Sequence, residues 1–423
     1  MRILLILSVT LIALTAELSG QSDFRTLDRQ SYNYFMKGDY INLRKVADTM
    51  QVHGIDYYYL RLRLGILAYN KQLYPTALTD LMKAIEFNST DTISRELIYN
   101  SYLFSGRKTD AYLFLESIPL NKRNNTLKKS IKPVSSEFYF GSSVAAYDVV
   151  LYETNSLNYE AVKNSLSVTA GGETYFSGRL RGTYAYTNFR KSGTVYSPSD
   201  PTGTDLNFVQ NQLYARLTGS IFPGWDFSAF GHIALYSEVV KAGLMGNKVS
   251  TNQQKSEYLA GAGISKNGWR IHGGANISFS NFGNSTQIRG EGYFTWLPSG
   301  NLNLYLTSGW MGQTDINWCG TYQASQEVGF KILKSLWMDS GLVLGNSFLY
   351  ARNQGYMMNN SFQIPAFTIY SNLLILPWKN FKLSVTPYYS QTNVYSWDFN
   401  TYTRTNKLIN NALGGSIKLT YKH

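Results

Sequence analysis

The chain has 423 residues, enough for two domains, with only 16% charged residues, 15% aromatics and 33 tyrosines, a balance unlike that of a cytosolic enzyme. Its net charge of +12 is scattered rather than gathered into a basic stripe, and no nucleic-acid motif accompanies it, so nucleic acid is not an expected partner. The single cysteine, Cys319, excludes an intrachain disulfide, a CxxC metal site and, so far from the start, a lipid-bearing N-terminal cysteine.

Residues 1–20 read as a secretory signal. Arg2 supplies the positive start, Ile3 to Leu14 the apolar core, and Leu18-Ser19-Gly20 the cleavage site before Gln21. No later apolar run approaches the roughly 18 residues of a spanning helix. The export signal therefore directs the rest of the chain beyond the cytoplasm.

Residues 21–120 show helical periodicity with a repeat of 34. Ala77 and Ala111 are 34 apart, as are Leu81 and Leu115, and Gly65 and Tyr99. Gly38-Asp39-Tyr40, Gln72-Leu73-Tyr74 and Gly106 share one register, at the turn between paired helices. This resembles the tetratricopeptide repeat, with the best copy at Leu64-Gly65, Tyr74, Ala77, Leu81 and Ala84. It departs from that pattern in lacking the Trp near the start and the Pro between copies, where Ser89 and Arg123 stand. The resemblance implies a solenoid whose concave face docks a periplasmic or envelope protein; Tyr57, Tyr58 and Tyr59 either line that face or, as the better reading, contribute one or two core residues with the rest incidental. Residues 121–134 are polar and basic and read as a linker.

From residue 135 to 423 apolar and polar residues alternate, as in Trp269-Arg270-Ile271-His272-Gly273-Gly274-Ala275-Asn276-Ile277. Side chains alternate faces along a strand, so each strand has one apolar and one wet face. Short turns are expected at Ser177-Gly178, Pro223-Gly224, Asn267-Gly268, Pro298 to Gly300, Lys334-Ser335 and Trp378 to Asn380. Longer polar connections are expected over 191–205, 240–254, 312–320, 351–360 and 395–405. Trp225, Trp269, Trp296, Trp337 and Trp378 stand beside short turns, where an indole suits a membrane interface. Together with the signal, these features predict an antiparallel transmembrane β-barrel of about 14 strands, with 12 or 16 as alternatives, in contact with outer-membrane lipid of a Gram-negative envelope. The C-terminal Ile417, Leu419 and Tyr421 resemble the terminal strand recognised during barrel assembly, although Lys422 and His423 follow the aromatic. The expected fold is thus α + β multi-domain, a helical solenoid followed by the barrel.

The wet faces carry Arg179, Arg181, Arg216, Asp226, His232, Glu257, Arg270, His272, Arg289, Glu291, Glu327, Lys331 and Lys382. Such groups either brace a closed lumen or line a passage. Arg179, Arg181, Arg216 and Arg270 are the expected mouth set, followed by Arg289, Glu291, Glu327 and Lys331. No Ser-His-acid, metal-spaced or phosphate-cradling motif is present, so neither catalysis, a metal nor a cofactor is expected.

The domain order resembles the YaiO-type barrel proteins and, in layout, the exopolysaccharide export porins. The resemblance implies a partner-docking solenoid beside a conduit for a polar solute or exported polysaccharide. The alternatives are a closed barrel anchoring a scaffold for an envelope complex and, more weakly, an outer-membrane hydrolase.

Overall fold

A computed structural model describes residues 24–123, 127, 135–150, 159–197, 200–244, 247–282, 286–315, 320–346, 350–354, 356–359, 364–378, 380–398 and 403–422. The expected signal and Cys319 lie outside these residues, as do residues 151–158. The chain divides into two compact units near Ile131 and Lys132.

The first unit is helical: α1 (residues 24–36), α2 (Tyr40–Val52), α3 (Tyr58–Asn70), α4 (Tyr74–Phe87), α5 (Thr92–Phe104) and α6 (Lys108–Ser117). The first residues of α1, α3 and α5 are 34 apart, and so are those of α2, α4 and α6. The turns repeat with them. Gly38, Gln72 and Gly106 all take positive φ, at 67°, 60° and 75°. The next amide in each case reaches back five residues, Asp39 to Tyr34, Leu73 to Ala68 and Arg107 to Tyr102. This is the Schellman end, which satisfies carbonyls that the helix itself leaves open.

Helices α3 and α4 pack closely because Gly65 has no side chain. A Cβ there would lie 2.5 Å from Leu81 Cγ. Leu43, Leu60, Leu64, Leu78, Leu81 and Ile98 form the buried core. Among them sits one ionic network, in which Asp80 (1% exposed) receives Arg61 and Arg44, each at 2.8 Å. Tyr57 is half-buried and donates to Asp28, whereas Tyr59 is exposed. Leu127 belongs to this unit's core rather than to the expected linker, being fully buried against Tyr99, Ala111, Leu115 and Ile118. A lone leucine among basic residues leaves no periodicity by which the sequence could show this.

The second unit is a closed antiparallel barrel of 14 strands. They are β1 (Ser135–Val150), β2 (Tyr159–Tyr175), β3 (Leu180–Ser197), β4 (Asp200–Gly219), β5 (Trp225–Leu244), β6 (Asn247–Asn267) and β7 (Ile271–Ser280), then β8 (Gln287–Trp296), β9 (Leu304–Asp315), β10 (Gly320–Leu333), β11 (Leu336–Gly345), β14 (Ile364–Trp378), β15 (Phe381–Asp398) and β16 (Thr403–Lys422). Between β11 and β14 the short strands β12 (Tyr350–Arg352) and β13 (Met357–Asn359) form a separate hairpin. β1 closes on β16, with Phe138 opposite Tyr421.

All six expected short turns join strands at one end, where β1 also begins and β16 ends. At the other end the structure differs from the sequence reading. Residues 191–197, 240–244 and 247–254, expected as loop, are strand. Beyond the apolar band both faces of a strand meet water, so the alternation that marks a strand disappears while its hydrogen bonds continue. The wall is consequently uneven. β5 and β6 have 20 and 21 residues, whereas β7, β8 and β11 have 10 each, about the length that crosses a membrane at a tilt.

The alternation is complete in between. Phe140, Leu213, Ile233, Ile277, Trp310 and Leu419 face outward and are exposed, as part of a continuous apolar exterior. An exposed apolar surface of this extent far exceeds what a water-facing monomer carries. On the inward face several glycines lie under tyrosine rings. A Cβ at Gly341 would come within 2.5 Å of the Tyr370 ring, and one at Gly414 within 2.5 Å of Tyr388. Its neighbour Gly415, on the outward face, has its nearest contact at 3.7 Å. The glycines let large rings lie flat along the wall instead of crossing the lumen.

Candidate functional site

The site is the barrel interior. Near the turn end, Arg181 on β3 pairs with Asp226 on β5 at 3.1 Å, and Asp226 also accepts from Ser220 and Asn267. Lys382 on β15 pairs with Glu137 on β1 at 3.0 Å. Farther round the wall Glu327 accepts from Tyr370 at 2.6 Å, and Asp339 accepts from Tyr305 and Asn372. Arg289, 2% exposed, donates twice to Gln313 and lies over the Phe282 ring at 5.6 Å. These groups come from strands far apart in sequence, and a low-dielectric lumen holds charges only when they are partnered in this way.

The main feature is one that sequence reading missed. The hairpin of β12 and β13 folds into the lumen from the end opposite the short turns. Its Gln354 backbone carbonyl accepts from Tyr214, its amide donates to Glu291 at 3.2 Å, and its side-chain oxygen accepts from Arg216 at 2.8 Å. Tyr356 donates to Tyr139 at 2.8 Å, and its ring meets Tyr214 edge-on at 5.3 Å. Arg216 lies three residues from the turn-side end of β4, so the hairpin tip spans most of the wall's height. Asn353 and Gln354 hold φ of 55° and 56°. Such left-handed residues are common in hairpin turns, and here the turn is closed by the Tyr356 amide donating to the Asn353 carbonyl at 3.2 Å as well as by the lumen contacts. The intruding residues lie in 351–360, expected only as one of the longer polar connections. Their composition is that of any polar loop, and their partners are 63 to 217 residues away.

Toward the turn end the tip roofs a chamber of about 470 Å³. Arg216, Lys382, Lys418, Glu137 and Glu173 line it, with Tyr139, Tyr214 and Tyr356. Lys418 was legible in sequence, since it alternates with the outward Ile417 and Leu419.

Of the expected lumen residues, Arg181, Arg216, Arg289, Glu291, Glu327 and Lys331 occupy inward strand positions. Arg179 and Arg270 instead fall in the turns after β2 and β6 and are exposed, because the strands end just before them. Of the expected interface tryptophans, Trp296 and Trp378 face outward, at 46% and 70% exposure. Trp225 lies under Lys266 on the same outward side, and Trp269 stands exposed in its turn. Trp337 is a correction: it pairs with Lys331 across β10 and β11 and stacks under that amine at 4.7 Å on the inward face. The turn after β10 carries a register shift that sequence spacing does not reveal. Among the described residues no group of side chains is arranged to hold a metal, and no helix is long and apolar enough to cross a membrane.

The geometry defines a closed 14-stranded barrel with an apolar exterior and a charged interior occupied by its own hairpin. No protein-family model matches the chain, and no curated protein does. Among solved structures it is similar to a Pseudomonas aeruginosa FadL homologue, at 9% identity over 71% of this chain and 92% of that one, with a TM-score of 0.44. The Ralstonia pickettii toluene transporter TbuX follows at 7% identity, 68% and 89% coverage and a TM-score of 0.46. The translocator domain of the Neisseria meningitidis autotransporter NalP is 8% identical, over 77% and 97%, with a TM-score of 0.33. At these levels of likeness none of them assigns a substrate to this chain.

Proposed function

We propose that the chain is an outer-membrane conduit for a small polar solute, closed in this conformation by the β12–β13 hairpin. The inserted hairpin carries the reading. A barrel built only to anchor would fill its lumen with wall side chains, whereas here part of the lumen is occupied by a ten-residue segment held through polar contacts and the packing of Tyr356 on Tyr214. The apolar exterior supports a place in lipid, and the signal-like pattern of residues 1–20 supports export toward the outer membrane.

In such barrels the short turns face the periplasm, and β1 begins at that end. The chain before it accordingly enters from the periplasm, where the tetratricopeptide-like helices dock an envelope protein. The chamber's size suits a small molecule, and an exported polysaccharide requires the hairpin to leave.

The test is single-channel conductance in planar bilayers, comparing the mature chain with a variant whose residues 350–359 are replaced by a short Gly-Ser turn. Steady ohmic openings are expected in the variant and rare or small ones in the parent. A variant that folds, judged by heat-modifiable migration on gels, yet stays silent would make the protein a closed anchor for its helical unit.

A further inference from the structure

The chamber beneath the hairpin tip holds more positive than negative charge. Three cations line it against two carboxylates. Lys382 is matched by Glu137 at 3.0 Å. Glu173 is the diagonal cross-strand neighbour of Arg181. Arg216 and Lys418 form no ion pair with a carboxylate among the described residues. Arg216 donates only to the neutral oxygens of Gln354 and Thr183, and its buried Nε has no hydrogen-bond partner. Lys418 rests over the Tyr139 ring at 5.6 Å.

A cation at the edge of a low-dielectric lumen is stabilised only by an anion or by water, and Arg favours a planar oxyanion that takes two of its N–H groups. Thr420 and Ser384 bring hydroxyls to the same chamber, Ser384 donating to Asn372 and left with acceptor capacity. Tyr214 and Tyr356 line it as well, adding aromatic surface that a compact ring can pack against. The volume, about 470 Å³, lies within the range of pockets that enclose one small molecule.

We infer that the chamber is a binding site for a small hydroxylated carboxylate of the sugar-acid class, its carboxylate between Arg216 and Lys418. The inference rests on the conduit reading for its meaning, since it names the class of solute. Its test is equilibrium binding, which needs no current, so a silent barrel that still binds would remove the conduit and leave the site.

Calorimetric titration of the full chain in lipid nanodiscs uses glucuronate as probe and glucose as its uncharged counterpart. Glucuronate is expected to bind at least about tenfold more tightly than glucose, roughly what a charge-assisted contact contributes. Lys418→Gln and Arg216→Gln are each expected to weaken glucuronate by about tenfold, the loss of one such contact. Lys418→Gln is the cleaner variant, because Lys418 does not hold the hairpin. Lys266→Gln, on the outer face over Trp225, is expected to change nothing. Equal affinity for glucose, no heat with glucuronate, or undiminished binding in Lys418→Gln would each overturn the inference.

Discussion

In the helical unit the fully buried large side chains are apolar, among them Leu43, Met50, Leu60, Leu64 and Ile98, all at 0%. In the barrel unit Phe282 and Leu297 are buried as fully, but large polar side chains join them: Gln210 and Asn410 at 1%, His232 and Arg289 at 2%, and Glu257 at 3%. The exteriors are inverted likewise, for the barrel presents Leu213 at 55% and Leu413 at 69%. One rule produces both arrangements: apolar surface avoids water, and buried polar groups find partners. Only the surroundings differ. In the helices the dry region is the middle, where leucines interlock. In the barrel the dry region is outside, and the interior must solve a problem of polar satisfaction instead, which it does with ion pairs, tyrosine hydroxyls and an inserted hairpin.

The sharpest way to break this comparison is to place the same charge on two apolar residues that are both more than half exposed. Ile41 in α2 is 68% exposed and Leu213 in β4 is 55% exposed. Leu213→Arg, six residues from the turn-side end of β4, is expected to lower unfolding stability by about 2–4 kcal/mol in lipid vesicles. Ile41→Arg is expected to stay within about 0.5 kcal/mol. Denaturant titration followed by tryptophan emission for the barrel, and by the helical circular dichroism signal for the first unit, measures both. Equal small effects would mean that the barrel's exterior does not face hydrocarbon.

The contrast also explains what the sequence could show. The 34-residue beat survives because every repeat needs its positive-φ turn and its small packing residue, hence Gly38, Gln72 and Gly106, and Gly65 and Ala77. The strand count and inward positions survive because alternation is imposed residue by residue wherever one face is greasy. Where both faces are wet, at 191–197 or 247–254, the same strands were unreadable. The hairpin tip was unreadable for another reason. Nothing local distinguishes Asn353-Gln354 from a solvated turn, and its meaning lies in Tyr139, Tyr214, Arg216 and Glu291, which only the closed barrel brings to it.

A second way to sharpen the comparison concerns glycine. Gly65 and Gly341 both permit close approach, one between helices and one beneath a ring. Gly341→Ala forces the Tyr370 ring from the wall and strains its 2.6 Å bond to Glu327. Overpacking of this kind is expected to cost about 1–3 kcal/mol, read as a lower denaturation midpoint of the folded barrel on gels. Gly415→Ala, with 3.7 Å to its nearest neighbour, is the control and is expected to shift the midpoint far less. Similar shifts in both would show that the rings do not need the glycines.

The smallest effect concerns pH, and it belongs to the helical unit, where charged groups meet solvent rather than a lumen. Burial opposes ionisation of Asp28, but hydrogen bonds from Tyr57 and Arg63, with the charge of Arg63, outweigh it and hold the carboxyl below its ordinary value of 3.8. Tyr57, raised to about 12 by burial and by that same bond, stays protonated and donating throughout. A carboxyl whose folded pKa is depressed contributes stability above its unfolded pKa and loses it as pH falls through the folded one. The link from α1 to α3 should therefore weaken only below pH 3.8. Thermal unfolding followed by the helical signal is expected to show a parent more stable than Asp28→Asn at neutral pH, with the difference closing on acidification beneath that value. Tyr57→Phe removes one of the donors, moves the folded pKa back toward the ordinary value, and should leave a smaller acid-driven loss than in the parent. A gap between parent and Asp28→Asn that persists unchanged through the acid range would mean that Asp28 serves by its shape and hydrogen bonds and not by its charge.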